Sequence, residues 1–412
     1  MDAAKMKKHK NKLTFMIFSM VLGAVIGTII WAFMRSMSLL VELLWHYVPS
    51  KVNISLQVYT IILCLGGGVI IGLIQQLCGP CPDELAEVMK KYKANGKYPY
   101  HNTLFILFAA LMPLIFGGAV GPEAGLTGVI VGLCCWAGDN IKFAGKYLSD
   151  LPDIGISATL GVLFCSPLFG FIEPIEGEDD EFTLTKPVKL AATFFAIIAG
   201  AGVLIILGTF LGIGEGLPRF DAVEIRKGEL IYAFPILIIA IVYGFFYKIF
   251  YNITCKLSEA LGKKYFISSM LAALLLGGIG AVFPLAMFSG EEEIVTLGET
   301  YSQYAPYLLF VIAFIKLFLI NSCINLGWRG GSFFPSIFAG VCLGYACAML
   351  FHIDIAFSVA IATASLMASI MRKPLAVTVL LLICFPVHSF IYILAASFLA
   401  CLVPEFGKHT KV

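Results

Sequence analysis

The chain has 412 residues, 59% hydrophobic and 13% charged, with a formal net charge of +2 and a mean hydropathy of +0.93. Soluble proteins carry about a quarter charged residues, so an ordinary soluble protein is excluded, and so small a net charge gives no reason to expect a nucleic-acid partner. The length holds on the order of ten to fifteen membrane-embedded helices of about 20 residues or fewer, with little left for a soluble domain.

Taken in order, the chain opens on a basic segment, Lys5, Lys7, Lys8, Lys10 and Lys12. Apolar stretches follow at 13–45, 57–77, 103–116, 123–138, 153–164, 167–175 and 188–213, then at 230–254, 266–289, 305–323, 333–351, 355–370, 372–384 and 386–404. The first run continues past Trp31 towards Trp45, too far for a signal peptide, and reads as a retained, tilted helix. The lysine cluster argues for a cytoplasmic N-terminus. Residues 1–12 are therefore expected to be a cytoplasmic basic segment, 13–213 a first membrane repeat, 214–229 a linker, 230–404 a second membrane repeat and 405–412 a cytoplasmic tail.

Many of the apolar stretches are shorter than a straight span needs. Glycine or proline splits the apolar zone at Gly121-Pro122, Pro167, Gly330-Gly331 and Pro374. Discontinuous helices of this kind belong to transporters, and backbone that leaves helical geometry at membrane depth must be buried or line a water-filled route. The polar connections are short. Pro82-Asp83-Glu84 reads as a helix start with acidic first-turn residues. Glu176 to Glu181 is an acidic loop. Most of the twelve cysteines lie in apolar runs and read as packing residues. Cys78-Gly79-Pro80-Cys81 has CxxC spacing without a second pair, and reads as a turn.

One carboxylate stands out. Glu123 follows Gly117-Gly118-Ala119-Val120-Gly121-Pro122 and precedes Ala124-Gly125, between two apolar runs. An ionisable residue at such a depth is a functional candidate. Pro122 suits the first turn of a helix, and a helix start offers backbone N–H groups and a partial positive charge to an anion. The two halves also resemble each other. Gly121-x-Glu123 matches Gly331-x-Phe333, Ser166-Pro167 matches Lys373-Pro374, and Gly66-Gly67-Gly68 matches Gly277-Gly278. An internal repeat with paired broken helices predicts a site where the repeats meet.

These residues resemble the CLC family of chloride channels and proton/chloride exchangers. Gly121-Pro122-Glu123-Ala124-Gly125 resembles the family's G-R/K-E-G-P segment. Gly331-Ser332-Phe333-Phe334-Pro335 matches its G-x-F-x-P segment. Ser166-Pro167-Leu168-Phe169-Gly170 resembles its N-A-P-L-A-G, and Met371-Arg372-Lys373-Pro374-Leu375-Ala376 its R-x-P-L-T. The four occur in the family's order. The resemblance implies an all-α integral membrane protein with the CLC fold, built from two inverted repeats of tilted and broken helices. It also implies a homodimer in which each subunit carries its own anion pathway, at the cell membrane.

By the same resemblance, Glu123 is the gating glutamate and a proton carrier. Gly79, Pro80, Gly121, Pro122, Ala124, Gly331, Ser332, Phe333 and Phe334 surround the anion. The chain departs from the family in several places. Cys78-Gly79-Pro80-Cys81-Pro82 stands where the family has G-S-G-I-P, so the serine hydroxyl is missing. The exchangers' inner proton glutamate falls on Gly177, with Glu176 and Glu173 nearby as substitutes. The family's last helix, with its pore tyrosine, has no counterpart after Pro404, which leaves Tyr345 and Tyr392 as candidate hydroxyls. Lys316, inside an apolar run, either shapes the potential of the pathway or is a packing lysine.

Gly177 tilts this reading towards a passive chloride channel or uniporter. The alternatives are a proton-coupled antiporter and a transporter of another halide such as fluoride. Chloride, protons and lipid are the expected partners, and no cofactor, metal or catalytic group is expected. A membrane protease is disfavoured, because the chain lacks paired aspartates in apolar helices, H-E-x-x-H and G-x-S-x-G.

Overall fold

The computed structural model describes residues 3–140, 151–176, 187–212, 219–220 and 228–404, without the side chains of 3–13, 86, 93 and 174. Gly177, most of the 214–229 linker, most of the acidic loop and the 405–412 tail lie outside the described residues. Sixteen α-helices run through the rest, and no strand occurs among the described residues. They are α1 (Ala3–Val41), α2 (Leu56–Cys78), α3 (Leu85–Asn95), α4 (Thr103–Ile115), α5 (Glu123–Asn140), α6 (Leu151–Leu163), α7 (Pro167–Ile175) and α8 (Pro187–Leu211). After the linker come α9 (Ala233–Leu261), α10 (Tyr265–Gly280), α11 (Glu291–Thr300), α12 (Pro306–Asn325), α13 (Phe333–Phe351), α14 (Ile355–Met371), α15 (Pro374–Leu381) and α16 (Phe390–Leu402). Among the described residues, six segments are long and apolar enough to cross a membrane: Thr14–Lys51, Leu56–Cys78, Pro187–Leu211, Glu229–Leu261, Pro306–Asn325 and Phe333–Phe351.

The expected breaks fall where the sequence put them, and local chemistry explains each. Pro167 and Pro374 each occupy the first turn of a helix, where a missing N–H costs nothing. Ser166 caps α7 by accepting the amide of Phe169 at 3.3 Å. Some boundaries differ from the apolar stretches, as where α9 runs on to Leu261. The first helix reaches back to Ala3 and takes in the lysines. The 266–289 run stops being helical at Gly280 and then turns at Pro284. The sequence reading also missed α11, whose first turn is Glu291, Glu292 and Glu293. Apolar patterning does not detect a helix of that composition.

The repeat is visible in backbone geometry. Gly117, after α4, has φ +85, and Gly327, after α12, has φ +110; both positions favour glycine. The amide of Gly118 donates to Pro113 O at 2.7 Å, and that of Trp328 donates to Cys323 O at 2.8 Å, each reaching back five residues. Cys165 and Arg372 both adopt positive φ, +49 and +58. Each precedes an extended residue and then a helix-opening proline.

The helices gather into two units. One comprises 1–38, 83–108 and 123–214; the other comprises 39–82, 109–122 and 215–412. In the first, small residues bring helices close. A Cβ on Gly23 would lie 2.0 Å from Ala196 O, and one on Gly27 would lie 2.2 Å from Gly200 O, so α1 and α8 touch backbone to backbone. Lys189 of α8, 4% exposed, donates to Asp153 of α6. In the second unit, α2 packs on α10 through glycine. A Cβ on Gly68 would meet Ala273 Cβ at 2.5 Å, and Ser269 Oγ donates to Gly68 O at 3.0 Å. Trp328 is fully buried. A Cβ on Gly67 or on Gly118 would touch its ring, at 3.0 and 3.2 Å, and its indole N–H donates to Ser269 O at 3.1 Å.

Candidate functional site

Gly121 and Gly331 are equivalent positions of the repeat. They pair with each other as an isolated antiparallel bridge. Gly121 donates to Gly331 O at 2.7 Å, and Gly331 donates to Gly121 O at 2.8 Å. Each glycine sits two residues before a helix start, α5 at Glu123 and α13 at Phe333. Close approach explains the small residues here: a Cβ on Gly330 would lie 2.6 Å from Val120 Cβ and 3.0 Å from Gly121 O.

The pairing corrects part of the expected anion-binding set. The amides of Gly121 and Gly331 are spent on each other, and Pro122 has none, so none of the three is an amide donor to an anion. Gly79 and Pro80 change role for a similar reason. Gly79, with φ +79, ends α2, and its amide donates to Gln75 O at 2.9 Å. Pro80 has no amide. Their turn closes α2. It is tied to the loop before α13 by Gln75 Nε2, which donates to Gly327 O, and by Arg329 Nη1, 3.4 Å from Pro82 O.

The rest of the expected set lies at helix starts. Ser332 is the residue before α13, Phe333 and Phe334 are its first two residues, and Ala124 is the second residue of α5. Amides at such positions stand outside the intrahelical ladder. They carry the positive end of the helix dipole, which favours an anion. Phe334 and Ala124 are each 2% exposed.

Glu123 follows Pro122 directly and opens α5. It is 3% exposed, and its carbonyl accepts the Thr127 hydroxyl at 2.7 Å. A helix start presents backbone N–H groups and a partial positive charge to a carboxylate or to an anion alike. Of the two proposed relay residues, Glu173 is buried within α7, 7% exposed, whereas Glu176 is half-buried at its C-terminal cap. The two candidate tyrosines stack on aromatic neighbours: Tyr345 on Tyr301 at 4.6 Å and Tyr392 edge-on to Phe357 at 6.0 Å.

Residues 67–405 match the family model described as voltage gated chloride channel. The chain belongs to this family. It is thus a multi-pass integral membrane protein, all helical, as the sequence implied. The YfeO proteins of Salmonella choleraesuis and Salmonella newport are 23% and 22% identical to it over 353 residues, covering 82% of this chain and 81% of theirs. Among solved structures, a slow cyanobacterial Cl−/H+ antiporter superposes with a TM-score of 0.78 at 17% identity, covering 94% of this chain and 93% of the other. A CLC-type fluoride/proton antiporter gives 0.72 at 16%, covering 95% of both chains. A eukaryotic CLC transporter gives 0.72 at 17%, covering 95% of this chain and 71% of the other. At these identities the likeness to solved structures carries the fold.

Proposed function

We propose that this voltage gated chloride channel family member moves a halide across the membrane in exchange for protons, with Glu123 as gate and proton carrier. The carrying observation is the carboxylate at the start of α5, 3% exposed. An ionised Glu123 competes with the halide for helix-start amides; a protonated one has no charge to offer them and yields. Each exchange of carboxylate for halide is therefore tied to a proton. Burial of Glu173 within α7 supplies a second carboxylate for an inner step. The tilt towards a passive channel, which rested on Gly177, gains nothing from the comparisons: the two similar structures named for their transport are antiporters.

Chloride is the first-choice ion, and the candidate amide donors are Ser332, Phe333 and Phe334 at the start of α13 and, at its own helix start, Ala124 of α5. The mechanism needs no cofactor and no enzymatic step. The protein works as a homodimer in the plasma membrane with its lysine-bearing N-terminus in the cytoplasm, in keeping with the charge rule for membrane proteins. A liposome assay that reports chloride and protons together tests the exchange. A chloride gradient should drive protons uphill, and Glu123→Gln should abolish that coupling while altering chloride flux. Chloride movement without proton movement in the unmodified protein would restore the channel. Proton pumping driven by fluoride and not by chloride would reassign the ion.

A further inference from the structure

Lys316 lies near the middle of α12 and is fully buried. Its ammonium donates to Met287 O at 2.6 Å and to Phe288 O at 2.8 Å, and it sits 4.9 Å from the Phe338 ring centroid. Glu293 of α11 lies within electrostatic reach. A buried ammonium must find acceptors somewhere, and which backbone supplies them decides what it holds. These acceptors belong to the 287–290 segment, which touches both turns of the candidate site.

On one side, the amide of Phe288 donates to Gly117 O at 3.0 Å, and Phe288 holds a positive φ of +57 to do so. Trp45 braces the same corner. Its ring meets Phe288 at 5.0 Å, and its N–H donates to Ile115 O at 2.9 Å. Gly117 then leads through Gly118 to Gly121 and its partner Gly331. On the other side, a Cβ on Gly290 would lie 2.6 Å from Phe338 Cβ and 3.5 Å from Phe334 O, so this segment also presses on the first turns of α13. Lys316 is the side chain that holds the segment from below.

We propose that Lys316 is a positioning residue for the anion site: by pinning the Met287 and Phe288 carbonyls it fixes the Gly117 turn and the start of α13 together, and so sets halide affinity and selectivity. This rests on the transport reading above. The left-handed backbone of Phe288 is costly for a residue with a Cβ, and a two-acceptor clamp by an ammonium is a means of maintaining it.

Three variants, Lys316→Met, Lys316→Gln and Lys316→Arg, are reconstituted beside the unmodified protein. Flux is read against chloride concentration, and chloride is compared with fluoride and bromide. Hydrogen bonds to a charged donor are strong enough that losing them should raise the half-saturating chloride concentration by about tenfold in the Met variant. The selectivity ratios should also flatten. Arg should stay nearest the unmodified protein, with Gln between. A lysine that merely fills space would lower the amount of active protein and leave half-saturation and selectivity unchanged, which overturns the proposal. Failure of all three variants to assemble also overturns it, because Lys316 would then carry the fold and not the site. Unmodified vesicles that pass no halide overturn the transport reading itself, whereas normal transport with unaltered variants overturns the role of Lys316 alone.

Discussion

Adding one methyl group at Gly330 tests whether the contact between Gly121 and Gly331 organises the site. The new Cβ would fall 2.6 Å from both Cβ and Cγ2 of Val120 and 3.0 Å from Gly121 O. Val120 is fully buried, its χ1 is stiff because the side chain is β-branched, and its amide is held by Gly118 O at 2.8 Å. The neighbour therefore cannot yield without moving the turn. Overpacking of this kind costs about 1–3 kcal/mol, and losing the two backbone hydrogen bonds adds about 0.5–1.5 kcal/mol each. Set against a total stability on the order of 5–15 kcal/mol, such a loss is large. Gly330→Ala should melt at lower temperature in detergent, and its chloride flux in liposomes should fall by about tenfold or more, since about 1.4 kcal/mol at the site suffices for that. Gly66→Ala is the matched control, because a Cβ there meets nothing within 4 Å. Gly330→Ala with unaltered melting and unaltered flux would show that the Gly121–Gly331 contact does not organise the site.

The same logic separates neighbours on α2. Gly68→Ala should destabilise by about 1–3 kcal/mol, because its Cβ meets Ala273 Cβ at 2.5 Å. Gly66→Ala should be neutral or gain about 0.5–1 kcal/mol from helix propensity. Thermal melts of the two variants decide it, and equal shifts would contradict the packing account. In the other unit, Lys189→Met removes the ammonium that donates to Asp153. Breaking a buried pair costs about 3–5 kcal/mol, and the lower end is expected because the Asp153 side chain is 20% exposed. Adding Asp153→Asn should recover most of the loss, and a double variant no better than the single one would show that the pair is not the cause.

The broken helices were readable in the sequence because their signals are local. A proline inside an apolar run, or a glycine where φ must be positive, leaves a mark at one position. The repeat was readable for the same reason, as matched marks in matched order. Four things were not. Nothing local says that Gly121 and Gly331 bond to each other, so both looked like amide donors to an anion until their partners were known. Gly79 looked like a donor too, yet its amide ends α2. Helix α11 was missed because three consecutive glutamates hide a helix from apolar patterning. Lys316 stood out in the sequence as a charge, but its acceptors are the carbonyls of residues about thirty positions away in the chain, a relation that no periodicity records.

The Gly121–Gly331 bridge has a bearing on ancestry. It joins like to like, each glycine giving one amide and taking one carbonyl. Two separate copies of a half-length chain would make the same self-complementary contact about a two-fold axis. The contact asks nothing of side chains except that none intrude. Fusing such copies end to end would leave it undisturbed and leave the flanking residues free to differ. One copy then carries a carboxylate, Glu123, where the other carries an aromatic ring, Phe333. The symmetry resides in the main chain, and the side chains beside it do not share it.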